Sequence, residues 1–263
     1  MPNVSINVDN DALISRLKGA IRAYENKYIS TNIGFVDELT QRLCESFFKE
    51  NCFSCYSYFS PHDDSSRRFL TVGDLELDES ELVYIHAVPD KFHQPTHRDY
   101  MGALMSLKID RKLFGDILTT NYGDAYLVFW NKSDVLAYIT DSFVSCGSAR
   151  LTLKEITRER YNSLEMQYEE IGLIVSSLRA DCIVAAISNL SRAKACEIIK
   201  AGDFKVFSTS VYSVDFNISD GDVFSVRGFG KFRYNGVLGS TRRERMRISL
   251  LKFGNYIERN TVS

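Results

Sequence analysis

Two arginines and a lysine stand where positive charge is disfavoured. Arg179 follows Ser176 and Ser177 at the head of one expected helix, and Arg192 and Lys194 follow Ser191 at the head of the next. A cation in a first helical turn opposes the positive end of the helix dipole, at a cost of about 0.3–1 kcal/mol each. A bound phosphate reverses that sign, because free first-turn N–H groups and the dipole both favour an anion. The spacing therefore predicts that Arg179, Arg192 and Lys194 form one phosphate-binding edge. The plain alternative is that these long side chains simply turn to solvent. The terminal strands make a second case. Lys231 and Arg233 alternate with Phe232 and Tyr234, and Arg243, Arg245 and Arg247 alternate with Met246, Ile248 and Leu250. A strand repeat of two puts each basic set on one face and each apolar set on the other. Edge protection would mix the signs, yet Glu244 is the only acid between Lys231 and Leu250. Like charges on neighbouring strands repel unless something neutralises them. Backbone phosphates would do so, and would make binding steeply salt-dependent.

Other candidate chemistry is thinner. Cys52 and Cys55 have zinc-knuckle spacing, with Cys44 and His62 as irregular partners, but no second Cys-x-x-Cys follows. Structural zinc needs four well-placed ligands, so plain thiols and no metal are expected. His93 and His97 are separated by Pro95 and the helix start at Thr96, so they share no helix face. The chain contains no H-E-x-x-H, G-x-S-x-G or P-loop motif. Gly228-Phe229-Gly230 is too short for a dinucleotide fingerprint. The expectation is a protein without a cofactor that is not an enzyme.

The elements that must position these residues fall into three segments. The chain has 263 residues, a net charge of −2 and 44% hydrophobic content. That is the balance of a soluble globular protein of two or three domains. No apolar run reaches the length of a membrane span, and no secretory signal is visible at Met1-Pro2-Asn3-Val4. The six cysteines then read as free thiols in a reducing cytoplasm. Charge is unevenly spread. Residues 176–263 hold 14 Lys+Arg against 8 Asp+Glu, and the remainder holds 18 against 26. A basic third on an acidic body points to a polyanionic partner for one end.

Residues 1–76 read as mainly helical. One helix is capped by Asp11 and runs to Tyr28. A second covers Gly34 to Asn51, and a turn-rich aromatic stretch follows. Residues 77–157 alternate as β-α-β-β-α-β, the ferredoxin-like order shared by RNA-recognition (RRM) modules. Its strands are Val83–Val88, Asp116–Leu118, Ala125–Trp130 and Arg150–Leu153, and its helices start at caps Thr96 and Ser133. Tyr126 on the third strand is placed either to stack a base or to fill the core. Residues 158–175, rich in Glu, read as a connector. Residues 176–263 begin with two helices, the second stopped by Gly202. Short strands follow, the last two separated by a loop at Asn235-Gly236. The fold class is α+β.

Several runs then become familiar. Ser177-Leu178-Arg179-Ala180-Asp181, Leu190-Ser191-Arg192-Ala193-Lys194-Ala195, Ile198-Ile199-Lys200-Ala201-Gly202 and Asp220-Gly221-Asp222 resemble the S4-type RNA-binding domain. Upstream, Thr96-His97-Arg98-Asp99-Tyr100-Met101-Gly102, Gly115-Asp116-Ile117 and Val226-Arg227-Gly228-Phe229-Gly230-Lys231-Phe232 resemble the YlmH family of bacterial proteins. The resemblance implies a C-terminal S4-type helix pair on a small sheet. It implies a non-catalytic protein, expected as a cytoplasmic monomer off the membrane. That protein binds ribosomal RNA and tRNA on the large ribosomal subunit during ribosome-associated quality control, and is linked to cell division by gene neighbourhood. Carried across, RNA contacts fall on Arg179, Arg192, Lys194 and Lys200, with Arg227, Lys231 and Arg233 added. Lys205 is a further candidate beside Val206-Phe207, where the S4 pattern expects Val-Asn. An RNA-modifying enzyme and a division-associated scaffold are the competing readings.

Overall fold

The computed structural model describes residues 8–132 and 135–258. The chain divides into two compact units, Met1–Glu165 with Tyr256–Ser263, and Met166–Asn255. Helix and strand are both abundant, and the fold is α+β.

The first unit opens with α1 (Val8–Lys27), β1 (Thr31–Val36), α2 (Glu38–Glu50), β2 (Tyr56–Phe59) and β3 (Arg68–Val72). The mainly helical reading of this segment is corrected, because its three strands form an antiparallel sheet in the order β1-β3-β2. Asp11 lies inside α1 and does not cap it. The expected helix from Gly34 splits at Asp37, which ends β1 and accepts a hydrogen bond from the Thr40 N–H at 2.9 Å. Gly34 belongs to a strand irregularity with φ of 102°, where an added Cβ would lie 2.6 Å from the Lys112 carbonyl oxygen. It is a bulge glycine rather than a helix start. Leu17, Ile21, Ile33, Phe48, Leu70 and Val72 form the buried cluster between the two helices and this sheet.

The order β4 (Leu82–Pro89), α3 (His97–Ser106), β5 (Phe114–Thr119), β6 (Ala125–Trp130), α4 (Val135–Ser142), β7 (Ser145–Cys146) and β8 (Ala149–Ile156) follows. These strands form the sheet β5-β6-β4-β8-β7. The Asp99 carboxylate accepts from the Thr96 N–H at 2.8 Å and closes the capping box of α3. The expected cap at Ser133 lies outside the described residues. Val83, Ile85, Leu127 and Phe129 face Tyr100, Leu104 and Ile139 of the helices. Buried Arg67 ties the two sheets of this unit together. Its Nε donates to the Phe114 carbonyl (3.2 Å), and its Nη2 donates to those of Phe35 (3.0 Å) and Arg111 (2.8 Å).

The connector reading of residues 158–175 is also corrected. This stretch forms α5 (Arg158–Asn162) and the strand β9 (Leu164–Val175). Its acidic residues fit an edge strand, where charge discourages pairing with another chain. Then come α6 (Ala180–Ser188), α7 (Arg192–Lys200), β10 (Phe204–Val206), β11 (Thr209–Ser210), β12 (Val223–Val226), β13 (Gly230–Ser240) and β14 (Met246–Glu258). The sheet order is β11-β10-β12-β13-β14-β9. Helices α6 and α7 cover one face, packing Ile183, Val184 and Ile199 on Phe204, Phe224, Phe232 and Leu250. The expected loop at Asn235-Gly236 is instead strand with a register shift, and the reversal falls at Thr241–Arg245.

Candidate nucleic-acid interface

The expected cationic residues separate into three groups. At the head of α6, Arg179 occupies the N-cap position and Arg192 opens α7. Both guanidiniums converge on Asp181, which is 3% exposed. Arg179 Nε lies 3.2 Å from Oδ1, and Arg192 Nη2 lies 2.7 Å from Oδ2. Burial pushes the Asp181 carboxyl upward, but hydrogen bonds from the two guanidiniums outweigh it and hold the pKa below the usual 3.8. The first-turn amides are spent as well. Ala180 N–H donates to the Phe216 carbonyl at 2.8 Å, and Asp181 N–H to that of Val214 at 3.1 Å. The α6 terminus is thus not an open anion site, and its misplaced cations are compensated by an internal carboxylate. Lys194 is exposed but lies two positions from Arg192, and such residues do not share a helix face. The single edge of Arg179, Arg192 and Lys194 is corrected to one shared ion-pair cluster and a separate lysine. Lys200 is exposed in the last turn of α7, where a cation suits the dipole.

The second group lies on the face of the six-stranded sheet away from α6 and α7. Register places Lys205 opposite Ser225, and Ser225 opposite Lys231, so the three form one row across β10, β12 and β13. Directly opposed residues share a face. Beside the row, Arg227 is 81% exposed, with its Nη1 3.2 Å from Asp203. Lys205, Ser225, Arg227, Gly228 and Lys231 line an open cavity of about 480 Å³. Lys231 Nζ sits 4.9 Å from the centroid of the Phe253 ring. Arg233 lies over both Tyr168 (5.5 Å) and Phe253 (5.4 Å), whose rings meet edge to face at 5.1 Å. Lys205, Lys231 and Arg233 have no carboxylate partner among the described residues. The alternation on β13 is as expected, with Phe232 and Tyr234 buried behind the cations.

The third group departs from expectation. Arg243 and Arg245 lie in the reversal before β14, and only Arg247 is on the strand. Glu244 adopts φ of 57° in that turn, so the three arginines are exposed without sharing a strand face.

Tyr168, Ser225 and Phe253 were not foreseen as site residues. Tyr168 sits in the Glu-rich stretch read as a connector, and Phe253 lies beyond Leu250, where the basic alternation stops. Continued alternation through Leu251-Lys252-Phe253 is the signal that would have found the ring.

The first unit offers no open sheet face at Tyr126. Its ring is 2% exposed and stacks on His86 at 4.2 Å, its hydroxyl donates to Glu258, and Arg160 bridges to that same carboxylate. On the same sheet Trp130 is covered by Phe69 (5.0 Å) and Tyr84 by Tyr161 (5.0 Å). Cys44 is buried, its thiol pushed up to about 12 chiefly by burial, and His62 Nε2 is hydrogen-bonded to the Leu164 carbonyl at 2.7 Å. Among the described residues no cluster of His, Cys, Asp and Glu is placed to hold a metal ion. No helix among them is long and apolar enough to cross a membrane.

Comparison with known proteins agrees with the sequence motifs. Residues 74–160 match a family model described as "Putative RNA-binding domain in YlmH". The chain is 30% identical over 177 residues to "Ribosome-associated protein quality control protein P2" of Bacillus subtilis, a match covering 67% of this chain and 66% of the relative. The aligned region thus spans about two thirds of that curated protein. A solved structure, "Cell division protein ylmH from Streptococcus pneumoniae", aligns with a TM-score of 0.46 and 18% identity, over 62% of this chain and 99% of that one. With residues 74–160 matching the YlmH domain and 30% identity to the curated relative along 67% of this chain, the chain belongs to the YlmH family.

Proposed function

We propose that this protein is a non-catalytic RNA-binding factor of the ribosome, acting in quality control of stalled translation. The observation that carries the reading is the row Lys205–Ser225–Lys231 with Arg227 and Arg233, set against Tyr168 and Phe253 on the helix-free face. Cations track phosphates and give affinity, while aromatic rings and stacked guanidinium planes accept bases. In this reading residues 77–157 are an RRM-like module and residues 176–263 an S4-type module. The partner is ribosomal RNA, with tRNA, on the large subunit. The protein acts in the cytoplasm as a monomer. The name of the Bacillus subtilis relative and the description of the matched domain support ribosomal RNA as the partner class.

The test is sedimentation of the full chain with ribosomal particles through a sucrose gradient. Lys231→Glu with Arg233→Glu should release the protein from the large-subunit fractions while its thermal unfolding stays unchanged. A folded double variant that still co-sediments with large subunits refutes the reading.

A further inference from the structure

Within residues 74–160 the sheet residues Tyr84, Tyr126 and Trp130 are all buried, so a base cannot stack on them. The exposed aromatic rings of that stretch are Phe92 (93%), Tyr122 (79%) and Tyr138 (48%). Tyr138 is already engaged, donating its hydroxyl to the Leu107 carbonyl at 3.1 Å. Phe92 and Tyr122 lie on two loops that touch. The β5–β6 turn is so close to the β4–α3 loop that a Cβ on Gly123 would lie 2.7 Å from the Gln94 Cα. Tyr122 is one residue from that contact and Phe92 two residues from its other side.

The Phe92 loop is built, not loose. The Asp90 carboxylate accepts from the Phe92 N–H (3.0 Å), the His93 ring (2.7 Å) and the Arg150 N–H (2.8 Å). Across the contact, the buried Tyr100 hydroxyl donates to the Gly123 carbonyl at 2.8 Å. One exposed ring is ordinary, but two on touching, hydrogen-bonded loops offer neighbouring apolar surface to a partner. The charge around it selects the partner. Lys91 and Arg98 are exposed and form no ion pair among the described residues. The neighbouring acids are committed, Asp90 as above, Asp99 to the Thr96 cap and Asp124 to His86 at 2.8 Å.

We propose that Phe92 and Tyr122 form a second RNA contact that stacks unpaired bases, with Lys91 and Arg98 on the adjoining phosphates. This rests on the reading of the protein as an RNA-binding factor. It adds a site on the first unit, separate from the cationic face of β10, β12 and β13.

Fluorescence anisotropy of the full chain with a labelled 12-nucleotide oligouridylate and with a blunt 12-base-pair RNA duplex tests it. Each stacked ring is worth about tenfold in affinity. Phe92→Ala with Tyr122→Ala should therefore weaken oligouridylate binding by tenfold or more and leave the duplex within about twofold. Uridine photo-crosslinks in the wild-type chain should map to the peptides holding Phe92 or Tyr122. If the wild-type chain binds oligouridylate and the double variant binds it equally well, the stacking site is overturned and the RNA-binding reading stands. If the wild-type chain binds neither RNA, both fall. Lost ribosome association with unchanged affinity for both RNAs would make the occupant a protein and overturn the proposal.

Discussion

The salt dependence of RNA binding follows from the geometry of the six-stranded sheet. Lys205, Lys231 and Arg233 face the open side without carboxylate partners among the described residues, and Arg227 shares its charge with Asp203. If all four meet phosphates, log K falls with log salt at a slope of about −0.7 per contact on a single strand, or about −2.8 in total. Raising salt from about 50 to 200 mM should then weaken binding about fiftyfold. Removing two contacts with Lys205→Ala and Lys231→Ala halves the slope to about −1.4, so the same step costs only about sevenfold. The assay is anisotropy of a labelled single-stranded RNA across a potassium chloride series. Both lysines are surface residues of a sheet whose core faces the other way, so the fold should be untouched. The internal comparison is Arg179→Ala with Arg192→Ala. Asp181 already engages both guanidiniums, so that pair should change the slope by less than one contact. A slope unmoved by loss of Lys205 and Lys231, or halved by loss of Arg179 and Arg192, would refute the assignment of the open face.

Five stability predictions accompany it. Asp181→Ala strands two partly exposed guanidiniums that can rehydrate, so urea titration should show a loss of about 1–3 kcal/mol rather than the larger cost of a fully buried pair. The Asp181 pKa is held below its unfolded value, so its contribution is present above pH 3.8 and lost as pH falls through the lower folded value. The stability gap between wild type and Asp181→Asn should hold above pH 3.8 and close as pH falls through that window. Arg67→Ala deletes donors to three carbonyls, those of Phe35 and Phe114 buried, and should cost about 3–5 kcal/mol, read as a lowered midpoint in urea. Gly34→Ala should lower the thermal midpoint through its positive φ and the 2.6 Å approach to the Lys112 oxygen. Gly102→Ala, with nothing within 4 Å of an added Cβ in α3, should raise stability by about 0.5–1 kcal/mol.

Local signals carried the middle of the chain well. The helix cap at Thr96 and the apolar strand run Ala125–Trp130 each sit within a few residues of their observed elements. The first segment was misread because Phe35, Leu39, Leu43 and Phe47 keep helical spacing across the strand–helix boundary at Asp37. Strand β9 was hidden for a different reason. Its pairing depends on β14, some 80 residues later, and its acids mimic a solvated linker. At the candidate site, the alternation of Lys231 and Arg233 was legible because strand period is a local property. The partners Tyr168 and Phe253 were not, because cross-strand register is a tertiary fact.

The same distinction explains why the first-turn arginines misled. A cation at a helix head is a contradiction only when nothing nearby answers it, and sequence spacing does not show what is nearby. Asp181 was in plain sight two residues after Arg179, but its service to Arg192 requires α6 and α7 to lie side by side. Once they do, one carboxylate engages both arginines, and the α6 amides turn to the carbonyls of Val214 and Phe216. The row on β10, β12 and β13 has no such answer. Asp203 engages Arg227, and two lysines and a stacked arginine face outward with no ion pair among the described residues. Uncompensated charge of one sign held in register on a rigid sheet is disfavoured in isolation, and a polyanion laid along that face removes the penalty while adding contacts to each ring. A polyanion is thus redundant at the helix heads, where the chain satisfies its own charge, and complementary to the sheet, where it does not.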